Sequence, residues 1–236
     1  MIIAANFKTN HTRSSTKEYM NSLLSFVKEQ NISDDVLVFP TATSLNSFET
    51  PTNVRVGVQN GYPTQNGSFT GEIGLDQIEE FGIKTILIGH SERRHILGES
   101  QEDTVKKFDF YKEKGFEIVY CIGEPKEVRE EGIEAVMAYN LSQLEGIDIN
   151  YENLIIAYEP VWAIGTGLTA SVDQISQTLD RLRSHIKAPL LYGGSVKPAN
   201  TQEILSIKNC DGILVGTASW EVDNFSKMLE ISKELN

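Results

Sequence analysis

The 236-residue sequence has few of the features that mark secreted, membrane-bound or metal-binding proteins. Its two cysteines, Cys121 and Cys210, have no CxxC spacing and no neighbouring histidine cluster, which argues against a metal site or a redox pair. No apolar run approaches the ~20 residues that a membrane-spanning helix needs, and no basic and apolar leader precedes IIAANFK. We therefore expect a cytoplasmic protein with buried, reduced thiols and without a metal or a membrane partner.

Positive charge is also scarce, because 21 lysine and arginine residues stand against 33 acidic residues and give a formal net charge of −12. Nucleic acids and anionic membranes are bound through dense lysine and arginine, so neither is expected as a general partner. No stretch rich in proline, glycine or serine and no block of like charge separates two halves. We expect a single domain over residues 1–236.

Short apolar runs recur along the chain and predict β-strands separated by helices. Helical periodicity fills most intervals, as in residues 16–30 and 102–114, the second followed by Gly115 as a helix terminator. Eight alternating units in about 250 residues fit a closed (β/α)₈ barrel, and a doubly wound sheet is the alternative. The runs are IIAANF from Ile2, VLVFP from Val36, VRVGVQ from Val54, TILIGH from Thr85, EIVYCI from Glu117, LIIAYE from Leu154, PLLYGG from Pro189 and GILVG from Gly212.

The segment AYEPVWAIGTG, residues 157–167, has the layout of a catalytic base followed by a lid. Glu159 ends an apolar strand, Pro160 stiffens the start of the loop, and Gly165 and Gly167 supply the freedom that a hinge would use. An ordinary surface turn is the alternative for this segment taken alone. The predicted lid comprises Pro160, Val161, Trp162, Ala163, Ile164, Gly165, Thr166 and Gly167.

Polar residues of catalytic type follow many of the predicted strands, and a barrel is the fold that gathers so many strand ends around one point. The segments are NFKTN (6–10), VQN (58–60), GSFTGE (67–72), GHSERR (89–94), CIGE (121–124), AYEPVWAIGTG (157–167), YGGSV (192–196) and DGILVGTAS (211–219). In this order they resemble the triosephosphate isomerase family. The resemblance implies a TIM barrel and a cofactor-independent isomerase. It would interconvert dihydroxyacetone phosphate and D-glyceraldehyde 3-phosphate through an enediolate, in glycolysis and gluconeogenesis.

The resemblance also implies roles for individual residues. Glu159 would be the base, and a neutral His90 would donate a hydrogen bond to the substrate carbonyl. Lys8 would supply a fixed positive charge and Asn6 an amide for the substrate. Ser91 can cap the helix that follows His90, and the positive end of that helix disfavours an imidazolium.

The phosphate group would be held mainly by backbone N–H groups, which small residues allow to approach an anion closely. The family's contacts match Gly165, Ser195, Gly216 and Thr217 of this sequence. Thr217 stands where the family commonly has a second glycine, so this contact requires that Thr217 is not left-handed. Leu168 replaces a common lysine just past the lid.

The polar stretch of residues 61–72 matches the family's third loop, which inserts into a partner subunit. The resemblance therefore implies a homodimer in which Thr70 lies near the other subunit's site. Glu92 and Arg93 would make polar contacts that brace the site and the dimer. The alternative for the loop is a disordered surface segment. Residues 124–153 are few for the family, which predicts a trimmed or missing helix there.

Two other functions remain to be weighed. Another phosphate-binding barrel isomerase or lyase would keep the phosphate grip near strands seven and eight but would lack the NFKTN, GHSERR and AYEPVW set, which is present. A barrel retained as a binding protein would have lost Lys8, His90 or Glu159, and the sequence keeps all three. The isomerase is therefore the favoured function.

Overall fold

The computed structural model of the chain describes residues 1–164 and 169–236. Its strands are β1 (Ile2–Asn6), β2 (Asp35–Phe39), β3 (Val54–Val56), β4 (Thr85–Ile88), β5 (Glu117–Ile122), β6 (Leu154–Tyr158), β7 (Leu190–Tyr192) and β8 (Gly212–Val215). They form one parallel sheet in the order β3-β2-β1-β8-β7-β6-β5-β4, and a bridge from Val58 to Ile86 brings the two edges together. This nearly closed barrel confirms the predicted fold class and excludes the doubly wound sheet.

Helices follow most of the strands. They are α1 (Arg13–Glu29), α2 (Leu75–Glu79), α3 (Ser91–His95), α4 (Gln101–Glu113), α5 (Lys126–Glu130), α6 (Ile133–Ser142), α7 (Val172–Arg183), α8 (Pro198–Leu205) and α9 (Val222–Leu235). Residues 124–153, for which a trimmed or missing helix was predicted, contain the two helices α5 and α6, and α5 is only five residues long. Within the described part of the chain, no helix has the length and apolarity that crossing a membrane requires.

Sequence signals explain where the longer helices begin and end. The hydroxyl of Thr12 accepts the N–H of Ser15 at the start of α1, and Ser100 and Asp103 cap the start of α4 reciprocally. Gly115 follows α4 with a φ of 71°, a conformation that costs glycine little. These caps place the two predicted helices within three residues of their expected bounds.

The strands bury side chains on both faces and so create two apolar groups. Because successive side chains of a strand point to opposite faces, one group fills the barrel and the other lies beneath the helices. The interior group comprises Ala4, Leu37, Phe39, Leu87, Val119, Cys121, Ile155, Ala157, Leu191 and Leu214. The outer group is larger and contains the aromatic side chains Phe108, Tyr111, Tyr120, Tyr158 and Tyr192.

Charged residues close the interior at the amino ends of the strands. Arg55 Nη1 lies 2.7 Å from Asp35 Oδ1, and Arg55 Nε donates to Glu117 Oε2 at 3.0 Å. The hydroxyl of Thr85 donates to the same Glu117 oxygen, also at 3.0 Å. We call Asp35, Arg55, Thr85 and Glu117 the basal cluster. Its members satisfy one another and leave the opposite end of the barrel as the open one.

Candidate active site

Glu159 follows β6 directly and its side chain is buried at the carboxyl end of the barrel. Oε2 accepts the backbone N–H of Ser91 at 3.1 Å, and Oε1 lies 3.2 Å from Nε2 of His90. Burial alone would raise the pKa of Glu159. The neighbouring His90, the Ser91 N–H and Lys8 more than offset burial, so the pKa lies below its ordinary value. In this geometry Glu159 is a stabilised carboxylate.

His90 caps the N-terminus of α3, since its Nδ1 accepts the N–H of Glu92 at 3.2 Å. The prediction that Ser91 is the cap is wrong. Ser91 is the first residue of the helix, and its N–H is directed at the Glu159 carboxylate instead. The histidine ring can take the capping position because it reaches the second N–H of the helix without leaving the pocket wall.

Opposing contributions set the protonation of His90. Burial lowers the pKa of His90, but the carboxylates of Glu159 and Glu92 raise it more, so the pKa lies above its ordinary value. The Nδ1 atom can accept an N–H only if it carries no proton, which requires the neutral tautomer protonated at Nε2. That tautomer also donates to Glu159. The neutral ring therefore satisfies both hydrogen bonds.

Lys8 lies two residues beyond β1 and has a φ of 52°. Its N–H donates to Asn6 Oδ1 at 2.9 Å, and its carbonyl accepts Nε2 of Gln59 at 2.9 Å. These two bonds hold a left-handed conformation that a non-glycine residue rarely adopts. The ammonium group of Lys8 lies 2.6 Å from Glu92 Oε1. Glu92, for which the family resemblance implies a bracing role, therefore pairs with the catalytic lysine candidate.

A cavity of about 470 Å³ opens at the carboxyl ends of the strands. Gly193 has no room for a side chain, because a Cβ there would stand 2.8 Å from Cγ of Glu159. Thr217 begins a 3₁₀ turn, Thr217–Ser219, and its φ is not positive, so its departure from glycine costs no backbone strain. The predicted residues in the cavity wall are Asn6, Lys8, His90, Glu159, Ile164, Ser195, Gly216 and Thr217.

The described part of the lid forms a short turn beside this cavity. Val161–Ala163 is a 3₁₀ turn that follows Pro160, and Ile164 lines the cavity. Ala163 is buried, which anchors the turn. Four positions of the predicted lid and its flank, Gly165, Thr166, Gly167 and Leu168, lie outside the described residues.

Glu124 is a functional candidate to which the sequence reasoning assigned no role. Its side chain is completely buried, and its Oε1 accepts hydrogen bonds from the hydroxyl of Tyr158 and from Nε1 of Trp162, each at 3.1 Å. Its backbone carbonyl accepts the N–H of Val161 at 3.0 Å. Glu124 therefore fixes the first residues of the lid. A glutamate directly after a buried strand, in the CIGE segment, was the available signal.

Cys121 lies in the barrel interior close to Glu159. Burial and the Glu159 carboxylate raise the pKa of the Cys121 thiol well above its ordinary value, so the thiolate is suppressed. Cys121 and Cys210 are both free and buried, as predicted. Arg93, the other predicted bracing residue, donates to Glu99 Oε1 at 2.9 Å. Residues 1–164 and 169–236 contain no group of three or more metal-ligating side chains.

The fold and the cavity define the class of this protein. It is an α/β barrel whose candidate acid–base groups lie at the carboxyl ends of the strands, where barrel enzymes carry their active sites.

Comparison with known proteins narrows the class. The sequence model of the family described as "Triosephosphate isomerase" matches residues 1–232. A triosephosphate isomerase of a Nitratiruptor species is 59% identical over 235 residues, covering 100% of both chains. Those of a Sulfurovum species and of Sulfurimonas denitrificans are 56% and 55% identical, covering 97% and 100% of this chain and 99% and 98% of theirs. The chain belongs to the triosephosphate isomerase family and is an isomerase.

Proposed function

We propose that the chain interconverts dihydroxyacetone phosphate and D-glyceraldehyde 3-phosphate with Glu159 as base, His90 as hydrogen-bond donor and Lys8 as fixed cation. The reaction follows from membership of the family. The assignment of residues rests on one observation above all: Glu159 Oε1 and His90 Nε2 lie 3.2 Å apart in the wall of the cavity. A second phosphate-binding activity, as an unrelated barrel isomerase or lyase, has no observation in its favour.

The proposed chemistry moves one proton between two adjacent carbons. A carboxylate removes the proton beside the substrate carbonyl, and an enediolate forms while the proton rests on Glu159. The bonds from Ser91 and His90 hold the carboxylate and lower its pKa. When Glu159 turns from these partners to the substrate, the burial contribution is no longer offset, and the carboxylate becomes a stronger base.

The same movement acts on His90. Glu159 raises the pKa of His90, so its departure leaves burial as the larger influence and favours the neutral ring. A neutral His90 with its proton on Nε2 can donate to the oxygen on which negative charge develops. Lys8 places a cation at the same mouth and attracts the phosphate ester to a chain whose net charge is −12.

We assign the phosphate grip to Ser195, Gly216 and Thr217, together with Gly165. The first three line the cavity. Thr217 opens a 3₁₀ turn, and the N–H groups at the start of such a turn have no partner within it. Lid closure over the phosphate would exclude water and protect the enediolate from losing its phosphate. The acid–base groups supply every step, which supports a reaction without a cofactor.

We also propose a homodimer formed through the loop that carries Thr70. Thr70 is exposed, and Phe69, Ile96 and Leu97 are large apolar side chains with exposed fractions of 43%, 75% and 66%. A second cavity of about 430 Å³ opens beside the active site and could receive the partner's loop; its wall includes Lys8, His90, Arg93, Leu97 and Trp220. The composition supports a cytoplasmic location and one domain over residues 1–236.

A coupled assay tests the residue assignment. Purified protein and D-glyceraldehyde 3-phosphate are mixed with glycerol-3-phosphate dehydrogenase and NADH, without added metal. NADH consumption reports dihydroxyacetone phosphate. The Glu159→Gln variant keeps the size of the side chain and removes the base, so its kcat should fall by at least about 10³-fold with an unchanged circular dichroism spectrum. Near-normal activity of the variant would exclude Glu159 as the base.

Shortening the third loop tests the dimer. Replacement of residues 66–71 by two glycines removes the exposed tip that carries Thr70. We expect weakly active monomers by sedimentation velocity, while the parent chain sediments as a dimer. A Lys197→Ala variant, altered on the exposed rim of the other cavity, serves as a control and should remain dimeric. A dimer of unchanged size after loop shortening would refute the interlocking role.

A further inference from the structure

The hydroxyl of Tyr120 has more hydrogen-bond partners than a strand residue beneath the helices needs. Tyr120 lies in β5, is fully buried and belongs to the outer apolar group. Its hydroxyl accepts Nη2 of Arg94 at 2.8 Å and donates to the carbonyl of Gln143 at 3.0 Å. The hydroxyl of Thr104 lies 3.0 Å away. An apolar residue would fill this place without any polar group to satisfy.

One partner of this hydroxyl leads to His90. Arg94 uses a second nitrogen, Nε, to donate to the carbonyl of Gly89 at 2.8 Å. Gly89 directly precedes His90 and has a φ of 72°, and a Cβ there would stand 2.7 Å from Nη2 of Arg94. The guanidinium therefore packs against the residue that sets the direction of the His90 backbone. Tyr120 fixes the other end of that guanidinium.

The second partner leads to Glu159. The side chain of Gln143 accepts the N–H of Gly123 through Oε1 at 2.7 Å. Gly123 lies against the backbone of Glu159 so closely that a Cβ at Gly123 would overlap the Glu159 carbonyl oxygen. The N–H of Glu159 in turn donates to the carbonyl of Ile122 at 2.7 Å. The side chain of Gln143 thus supports the backbone segment that carries Glu159.

We propose that Tyr120 is a positioning residue of the isomerase: its hydroxyl ties the backbone before His90 to the backbone beside Glu159 and so sets the separation of the two catalytic groups. The inference rests on the proposed roles of Glu159 and His90. Positioning matters because proton transfer depends steeply on geometry, and displacements below 1 Å at the reacting groups can cost about 10-fold to 100-fold in rate.

The variant Tyr120→Phe removes the hydroxyl and keeps the ring, over which the Arg94 guanidinium lies 5.4 Å from the centroid. The matched control is Tyr151→Phe, which loses a hydroxyl that donates to the carbonyl of Phe116 at 2.7 Å, at the amino end of the barrel. We expect both variants to lose similar thermal stability. Only Tyr120→Phe should lose kcat, by about tenfold with KM changed less than twofold. If Tyr120→Phe had the same kcat as Tyr151→Phe, the positioning role of Tyr120 would be overturned.

A double-mutant cycle with Arg94→Lys tests whether Tyr120 affects kcat through its hydrogen bond with Arg94. Lysine keeps the charge but lacks the separate Nε and Nη2 donors through which Arg94 bonds Gly89 and Tyr120. If Tyr120 acts through Arg94, the loss of kcat in the double variant should be clearly smaller than the product of the two single losses. Multiplicative losses would show that Tyr120 does not act through this arm and would overturn the proposal as stated.

A measurement without turnover separates this inference from the proposed function. The histidine side-chain NMR signals of the ligand-free protein are measured as a function of pH. The His90 signal is identified as the one that is absent from the His90→Asn spectrum. Glu159 and Glu92 raise the pKa of His90 while burial and Lys8 lower it. A looser His90–Glu159 pair should move the His90 midpoint downward in Tyr120→Phe but not in Tyr151→Phe. An unchanged His90 midpoint in Tyr120→Phe would contradict the positioning role of Tyr120, even if the isomerase activity is confirmed. A lowered midpoint would support that role even if the isomerase activity is not confirmed.

Discussion

The two ends of the barrel interior both carry charged side chains, but those at the amino end are partly exposed and those at the carboxyl end are buried. At the amino end, the basal cluster pairs Arg55 with Asp35 and Glu117, and each group has its partner inside the cluster. At the carboxyl end, Glu159 and His90 bond to each other in the wall of a cavity. The apolar interior group, from Ala4 to Leu214, separates the two ends.

The difference separates the charges that we assign to fold stability from those that we assign to catalysis. Each charged group of the basal cluster is partly exposed and pairs with an opposite charge inside the cluster, so we assign this pairing to fold stability. Glu159 and His90 have alternative partners, because a bound substrate would offer a proton and an oxygen in place of their present bond. A buried acid–base pair in the wall of a cavity therefore marks the proposed active end, whereas the paired charges at the other end are partly exposed.

The largest expected effect comes from removing one cation at each end. Lys8→Met should lower kcat/KM by at least about 10²-fold to 10³-fold, because a fixed charge near the developing oxyanion is lost. Arg55→Met should leave kcat/KM within twofold and should cost about 1 to 3 kcal/mol of unfolding free energy, toward the lower figure because Arg55 is partly exposed. Steady-state kinetics and thermal unfolding of both variants check this contrast. A comparable loss of kcat/KM in Arg55→Met would contradict the proposed difference between the two ends of the barrel.

The second effect concerns the ionisation of Glu159. With His90 in place, the pKa of Glu159 lies below its ordinary value, so the carboxylate of the free enzyme persists as the pH falls below the usual range. His90→Asn removes the largest offset to burial, and the midpoint should rise. Carboxyl ¹³C NMR of glutamate-labelled protein measures it, with Glu159→Gln for assignment. His185→Asn, distant in sequence from both groups, should leave the midpoint unmoved; a shift there too would indicate a general disturbance.

A smaller effect is expected from single hydrogen bonds at the two ends. Trp162→Phe removes the bond to Glu124 at the start of the lid, and Thr85→Val removes the bond to Glu117 in the basal cluster. Each should cost about 1 kcal/mol of stability. Only Trp162→Phe should also change kcat or KM, by roughly fivefold, since it loosens the lid. Equal kinetic effects of the two variants would show that Glu124 does not hold the lid for catalysis.

The smallest expected effect concerns Thr217, which we assign to the phosphate-binding residues. Thr217→Gly restores the glycine common in the family. Because Thr217 has no positive φ, glycine brings no relief of strain, and KM should change by no more than about twofold, the range of an exposed substitution. Inhibition by inorganic phosphate, measured beside KM, checks whether the backbone contact persists. A tenfold fall in KM would mean that threonine strains this turn after all.

The sequence allowed the fold to be predicted in detail. All eight apolar runs became strands, and α1 and α4 lie close to their expected bounds, because buried strands and capped helices leave local signals. The cap of α3 was mispredicted for a physical reason. Ser91 is the better capping residue by type, but it is already the first residue of the helix, so the capping position falls on His90, whose Nδ1 accepts the N–H of Glu92.

For the candidate site, the residues that a motif carries in a short segment, such as Glu159 and His90, could be proposed from the sequence, and the structure places both in one cavity wall. The site was not predictable where the chemistry depends on partners from distant strands. Glu124 receives bonds from Tyr158 and Trp162, and no local pattern links these three residues. The position of Gln59 against the carbonyl of Lys8 likewise becomes visible only when β1 and β3 are seen on the same sheet.

The chain has two tryptophans, Trp162 and Trp220, one in the proposed lid and one in the surface proposed to receive the partner subunit. Trp162 is hydrogen-bonded to Glu124 at the start of the proposed lid, and Trp220 lines the second cavity, whose wall also includes Lys8 and Leu97. Indole emission depends on the polarity around the ring. The protein therefore carries two intrinsic optical reporters. In Trp220→Phe, the fluorescence of Trp162 would report on the proposed lid. In Trp162→Phe, the fluorescence of Trp220 would report on the surface proposed to receive the partner subunit.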